Sequence, residues 1–208
     1  TRMIQAALNA MPVVAILRGV EPGEVTEIGK VLYDGGIRCI EVPLNSPSAL
    51  ESIGLLASAM PDDCLVGAGT VVALEDVRKV KDAGGKLIVA PNTSPAIIKM
   101  AITLEMVVVP GVATPTEVFA AIGAGATWLK LFPAVTYGPS HLADLRAVVP
   151  SHIRFLAVGH LGPEDLNAWQ DAGAAGVGLG SKLYSAGDSA AEVEAKVANI
   201  RAALARSP

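Results

Sequence analysis

Short apolar runs alternate with longer amphipathic stretches along nearly the whole chain. The runs near 12–18, 37–43, 64–70, 87–91, 106–110, 127–132, 154–158 and 175–179 read as buried strands. Helical patterns lie between them, among them 21–36, 46–60, 73–85 and 114–126. Several of these open with Pro, Ser, Thr or Asp and an acidic first turn and close at glycine, as helix boundaries do. The pairs Gly35–Gly36 and Gly84–Gly85 predict two helix stops. A last helix near 188–206 alternates Ala, Val and charged positions and is expected to pack on the outside.

Eight strands separated by helices predict parallel pairing, because each crossover is a helix. Eight such units close naturally as an α/β fold of the (β/α)8 TIM-barrel type, one domain spanning 1–208. A doubly wound open sheet is the alternative. No linker, low-complexity segment or charge block interrupts the pattern.

Composition sharpens this picture. Of 208 residues, 51% are hydrophobic and only 17% charged, which suits strands buried on both faces. Aromatic residues make up 4%, so the core is built of small and branched side chains, as layered barrel interiors are. A net charge of −4 without any basic run disfavours a nucleic-acid partner. An anionic substrate would need a local positive site, since the global field does not attract it. Cys39 and Cys64 lie in apolar segments and read as reduced core thiols. No apolar stretch approaches the ~20 residues of a membrane helix, and the first twenty residues carry no signal-peptide pattern. The expectation is a cytoplasmic protein without a membrane partner.

Alternation across a strand says which side chains share a face. Val14, Ile16 and Arg18 form one set, Cys39, Glu41 and Pro43 a second, Val66, Ala68 and Thr70 a third, and Trp128, Lys130 and Phe132 a fourth. Each puts a polar residue at or near the C-terminal end of its strand, where barrels of this type carry their active sites. Lys130, alone in TWLKLFP, is the sharpest anomaly, because lysine is almost never fully buried without a partner. It admits two readings: a lysine snorkelling outward or paired structurally with Glu41, or a desolvated amine competent to attack a ketone. Glu41, within CIEVPL, is equally odd, and is either a counter-ion or an acid/base group. The forked donors of Arg18 suit a carboxylate.

The later loops suggest an anion site. AVGHLGPEDL leaves the seventh strand through Gly159 and enters a helix near Pro163, and GLGSKLY sets Gly178, Gly180 and Ser181 after the eighth. Such turns offer backbone N–H groups to phosphate, though they also serve where a tight turn merely needs glycine. His160 lies in the first of these loops, and His141 and His152 sit in polar helix-end contexts. They form no metal signature. No Gly-rich nucleotide fingerprint occurs, so neither a metal nor a dinucleotide cofactor is expected.

The segments VVAILRGV, IEVPLNSP, VGAGTV, LIVAPN, VVPGVATPTE, LKLFPA and GLGSKLY together resemble the bacterial class I aldolases for 2-keto-3-deoxy-6-phospho sugar acids. The resemblance runs in order from about residue 12 to 185. It implies a homotrimer without metal that cleaves a phosphorylated keto-acid sugar to pyruvate and glyceraldehyde 3-phosphate. By the same resemblance Lys130 is the Schiff-base lysine and Glu41 the general acid/base. Arg18 and Thr70 hold the pyruvate-derived carboxylate region, and Pro91 and Phe132 shape the pocket. The phosphate rests on Gly159–His160 and Gly180–Ser181. One branch of the family reads E-V-T-L-R-T after the glutamate and another E-I-P-L-N-S-P. Glu41-Val42-Pro43-Leu44-Asn45-Ser46-Pro47 looks like the second, the phosphogalactonate branch, with the first, phosphogluconate branch as alternative. Asn45 stands where the first branch has arginine, which shifts substrate anchoring toward Arg18. His160 departs from the family, which usually has a second glycine there; the change either weakens phosphate binding or adds a donor to it. A phosphate-binding isomerase and a catalytically silent binding barrel are the competing classes, against which the joint presence of Arg18, Glu41 and Lys130 argues.

Overall fold

The computed structural model describes residues 2–205. Helix α1 (Arg2–Ala10) leads into β1 (Val13–Ile16), and strands and helices then alternate: α2 (Pro22–Asp34), β2 (Cys39–Pro43), α3 (Ala49–Ala59), β3 (Leu65–Gly69), α4 (Leu74–Asp82), β4 (Leu87–Val89) and α5 (Pro95–Thr103). The fifth strand comes as two pieces, β5 (Val107–Val109) and β6 (Gly111–Val112), followed by α6 (Pro115–Gly123), β7 (Trp128–Leu131) and α7 (Ala134–Val148). The chain ends with β8 (Arg154–Val158), a 3₁₀ turn at Pro163–Asp165, α8 (Leu166–Asp171), β9 (Gly176–Leu179) and α9 (Ala190–Leu204).

All the ladders are parallel, in the order β5-β4-β3-β2-β1-β9-β8-β7-β6. The two ends of that order, β5 and β6, are consecutive in sequence, so the sheet closes on itself. The break is Pro110, which has no N–H for a ladder. Its carbonyl still accepts the Lys130 N–H at 2.8 Å, carrying the strand across to β7. The structure is therefore the expected eight-stranded barrel with its fifth strand nicked, and the open doubly wound sheet is excluded.

Helix boundaries follow their local chemistry. Thr114 and Ser189 each exchange hydrogen bonds with the glutamate three residues on, closing a capping box at the start of α6 and of α9. Gly36 and Gly84 adopt positive φ after α2 and α4, so both glycine pairs stop helices as expected. Among the described residues no helix is long and apolar enough to cross a membrane.

The core has two layers. An outer one fills the space between strands and helices and includes Leu17, Ile40, Val42, Val66, Ala68, Leu129 and Leu131. An inner one lines the barrel itself: Val14, Ile16, Cys39, Leu65, Leu87, Val89, Val107, Val109, Trp128, Leu156 and Val158, closed at the bottom by Ile4, Ala7 and Leu8 of α1. Both cysteines are free and buried. The inner set corrects one expectation. In β3 it is Leu65, not Val66 and Ala68, that faces inward, because Val66 and Ala68 pack beneath the helices.

Candidate active site

The C-terminal end of the barrel opens into a cavity of about 420 Å³, lined among others by Arg18, Glu41, Lys130, Phe132, Gly159, His160, Gly180 and Ser181. Glu41 and Lys130 come from β2 and β7, on the inward-facing parity of each strand. Each stands one inward position above an apolar residue, Cys39 and Trp128 respectively. Glu41 is 2% exposed and Lys130 6%. Room for Glu41 is made by glycine: a Cβ on Gly69 would lie 1.6 Å from Glu41 Oε2. A Cβ on Gly178 would crowd two other residues that line the cavity, Val158 at 2.8 Å and Ile16 at 3.2 Å.

Burial dominates the electrostatics. It pushes the Glu41 carboxyl up to about 7, a rise moderated by the positive charges of Lys130 and Arg18. It holds the Lys130 ammonium below the usual lysine range, with Glu41 opposing that shift and Arg18 reinforcing it. Lys130 and Glu41 form no salt bridge among the described residues. Lys130 Nζ lies 4.7 Å from the centroid of the Phe132 ring, and Glu41 Oε2 is buried without a hydrogen-bond donor among the described residues. A desolvated amine and a carboxyl with a free acceptor atom thus face one space. That is the equipment for imine formation and proton transfer.

Arg18 follows β1 and points its fork along the rim. Nη1 donates to Asn45 Oδ1 at 2.6 Å and Nη2 to Thr70 Oγ1 at 3.4 Å. Thr70 reaches Arg18 through an unusual backbone, with φ of 56° just past the end of β3. A β-branched residue there is a genuine outlier, of a kind that costs ~1–3 kcal/mol and clusters at functional sites. Simple alternation grouped Thr70 with Val66 and Ala68; the left-handed turn takes it off that series.

On the opposite wall, Gly159 and His160 leave β8 with φ of 123° and 56°. Histidine is among the few residue types enriched in the left-handed region, so His160 meets the conformation that a second glycine would supply. The backbone N–H groups of Gly159, His160, Gly180 and Ser181 have no acceptor among the described residues. Four unengaged backbone donors on two loops that line the cavity suit an oxyanion such as phosphate. Among the described residues no group of three or more His, Cys, Asp or Glu is placed to hold a metal ion.

The family profile for KDPG and KHG aldolases matches residues 4–200. This chain belongs to that family. It is 47% identical over 180 residues to the 2-dehydro-3-deoxy-6-phosphogalactonate aldolase of Escherichia coli (strain K12), covering 86% of this chain and 87% of that one. A solved structure described as native KDPGal superposes with a TM-score of 0.91 at 43% identity, covering 94% of this chain and 95% of the other. A cube-shaped, highly porous cage designed by fusing symmetric oligomeric domains contains a chain that matches with a TM-score of 0.91 and 43% identity, over 93% of this chain and 72% of that one.

Within this aldolase framework, eight of the ten residues singled out from sequence line the cavity. Thr70 stands at its edge through Arg18. Pro91 is not among the lining residues; its carbonyl packs against Gly111, where a Cβ would come within 2.2 Å. Ile16 and Gly178, already placed by alternation and by the glycine loop, also line it, whereas sequence reasoning passed over Val158, which alternation within β8 would have aimed inward, Leu161 and Ser185, and Tyr184, whose motif was read only for its glycines and serine.

Proposed function

We propose that this aldolase cleaves 2-dehydro-3-deoxy-6-phosphogalactonate to pyruvate and glyceraldehyde 3-phosphate through a Schiff base on Lys130. The observation that carries the chemistry is the pairing of a buried lysine of depressed basicity with a glutamate that titrates near 7 in one cavity. The neutral Lys130 amine attacks the C2 carbonyl to give a carbinolamine, and loss of water gives an iminium. Glu41 accepts the C4 hydroxyl proton, the C3–C4 bond breaks, and its electron pair passes into the iminium to leave an enamine. Glyceraldehyde 3-phosphate departs, Glu41 returns the proton to C3, and hydrolysis frees pyruvate and the amine. Proton transfer of this kind contributes ~10²–10⁴-fold.

Around this pair, Arg18 and Thr70 hold the carboxylate region, Phe132 and Pro91 bound the pocket, and Gly159–His160 with Gly180–Ser181 receive the phosphate. The galactonate configuration is read from Pro43 and Asn45, and the 47% identical relative supports it. The same reading makes the protein a cytoplasmic homotrimer in galactonate catabolism. The occurrence of a similar chain in a cage designed by fusing symmetric oligomeric domains supports a symmetric assembly.

The test is pyruvate release from the phosphogalactonate substrate beside its C4 epimer, the phosphogluconate. A clear preference for the former is expected. Equal or reversed rates would keep the aldolase chemistry and discard the specificity, and silence on both would discard the reading.

A further inference from the structure

Tyr184 takes no part in the chemistry above, yet its position is among the most constrained in the molecule. It is 1% exposed, and it lines the cavity beside Gly180 and Ser181. Its hydroxyl donates to Glu24 Oε1 at 2.5 Å, joining the loop after β9 to the first turn of α2 across 160 residues. That carboxylate is itself fixed, because Oε1 also accepts the Glu21 N–H at 3.2 Å in the cap of α2.

The loop transmits whatever Tyr184 does. The Gly180 carbonyl accepts the Leu183 N–H at 2.7 Å and the Tyr184 N–H at 2.8 Å, so residues 180–184 form one closed turn. A shift of Tyr184 therefore moves Gly180 and Ser181 with it. Next to it, Ser185 N–H donates to Asp188, which also takes the Lys196 ammonium of α9. The turn is thus tied at one residue to α2 and at the next to α9. Burial, and then the Glu24 bond, push the Tyr184 phenol up, so the donor stays protonated across any working pH.

We propose that Tyr184 is a positioning residue for the phosphorylated end of the substrate: its bond to Glu24 fixes the turn of Gly180 and Ser181 at the span from Lys130 that the substrate must bridge. This deepens the aldolase reading and rests on it. The pyruvate end is held at Lys130 and Glu41, which stand on β7 and β2 rather than on that turn.

Removing the hydroxyl removes the tie and keeps the ring. Tyr184→Phe should raise KM for the phosphorylated keto acid about 3–10-fold, the worth of one hydrogen bond, and weaken competitive inhibition by inorganic phosphate in parallel. The value of kcat should stay within about twofold, and borohydride should trap pyruvate on Lys130 at the same pyruvate concentration as in the parent. Glu24→Ala should behave alike, Glu24→Gln, which keeps an acceptor oxygen, should restore the parent KM, and the double variant should be no worse than either single. An unchanged KM in Tyr184→Phe overturns the proposal. So does an equal rise in the pyruvate concentration needed for trapping, which marks general damage to the barrel. Failure of the parent itself to trap pyruvate would instead sink the aldolase reading, and this inference with it.

Discussion

The lower and upper halves of the barrel interior use the same strands and the same face, and differ in almost everything else. Below, Cys39, Leu65, Leu87, Val107, Trp128 and Leu156 meet Ile4, Ala7 and Leu8 of α1 in an apolar plug. One inward position higher on β2 and β7, Glu41 and Lys130 replace Cys39 and Trp128, and glycines 67 and 69 replace a bulky side chain on β3. The lower half is closed by buried apolar side chains, and in such close-packed surroundings volume decides stability. The upper half leaves space and buries charge in it. Such a site is tolerated because the layers beneath supply the packing, and the desolvation that makes it costly is what tunes its two titrating groups.

The comparison breaks most visibly at Lys130. Lys130→Ala should abolish borohydride-dependent trapping of pyruvate and lower kcat/KM on the order of 10⁴-fold or more, with the protein still folded. Trapping that survived in this variant would move the nucleophile elsewhere. Next in size is Glu41→Gln, for which steady-state assays should record a loss of ~10²–10⁴ in kcat while the imine still forms. Gly69→Ala probes the space rather than the charge. Its Cβ would sit 1.6 Å from Glu41 Oε2, and the displaced carboxylate should cost about 10²-fold in turnover. A variant with parental turnover would show that the carboxylate's place does not depend on that glycine.

In the lower half the effect should pass from activity to stability. Leu8→Ala empties part of the plug and should cost about 2–5 kcal/mol in urea denaturation, with pyruvate trapping retained wherever the protein stays folded. The smallest effect links the halves through pH. Glu41 titrates near 7 when folded and near ~4.3 in an unfolded chain. Between these values the folded protein binds more protons, so its stability falls as pH rises through that window. Glu41→Gln removes the penalty, and its stability relative to the parent should grow by about 1–3 kcal/mol between pH 4 and 8. A constant difference across that range would mean that the carboxyl titrates normally.

The sequence carried the strands, the glycine stops, the barrel and the charged trio of Arg18, Glu41 and Lys130. Each of these is a local signal: an apolar run, a positive-φ residue, or a charge within a buried strand. Residues 2–10 form α1, and their contact with the inner layer depends on strands up to about 150 residues away, beyond the reach of any local pattern. Alternation misassigned β3 because its inward positions include two glycines, so its apolar side chains gather on the other face. Thr70 joined Arg18 through a backbone turn that no side-chain period encodes. Tyr184 and Glu24 meet only once α2 and the loop after β9 stand side by side. What the sequence by itself determined was which elements form and which residues carry charge into the core, because those follow from short-range periodicity and composition. What only the tertiary structure decided was which distant groups share a cavity, how deeply each loses its water, and so how each one titrates.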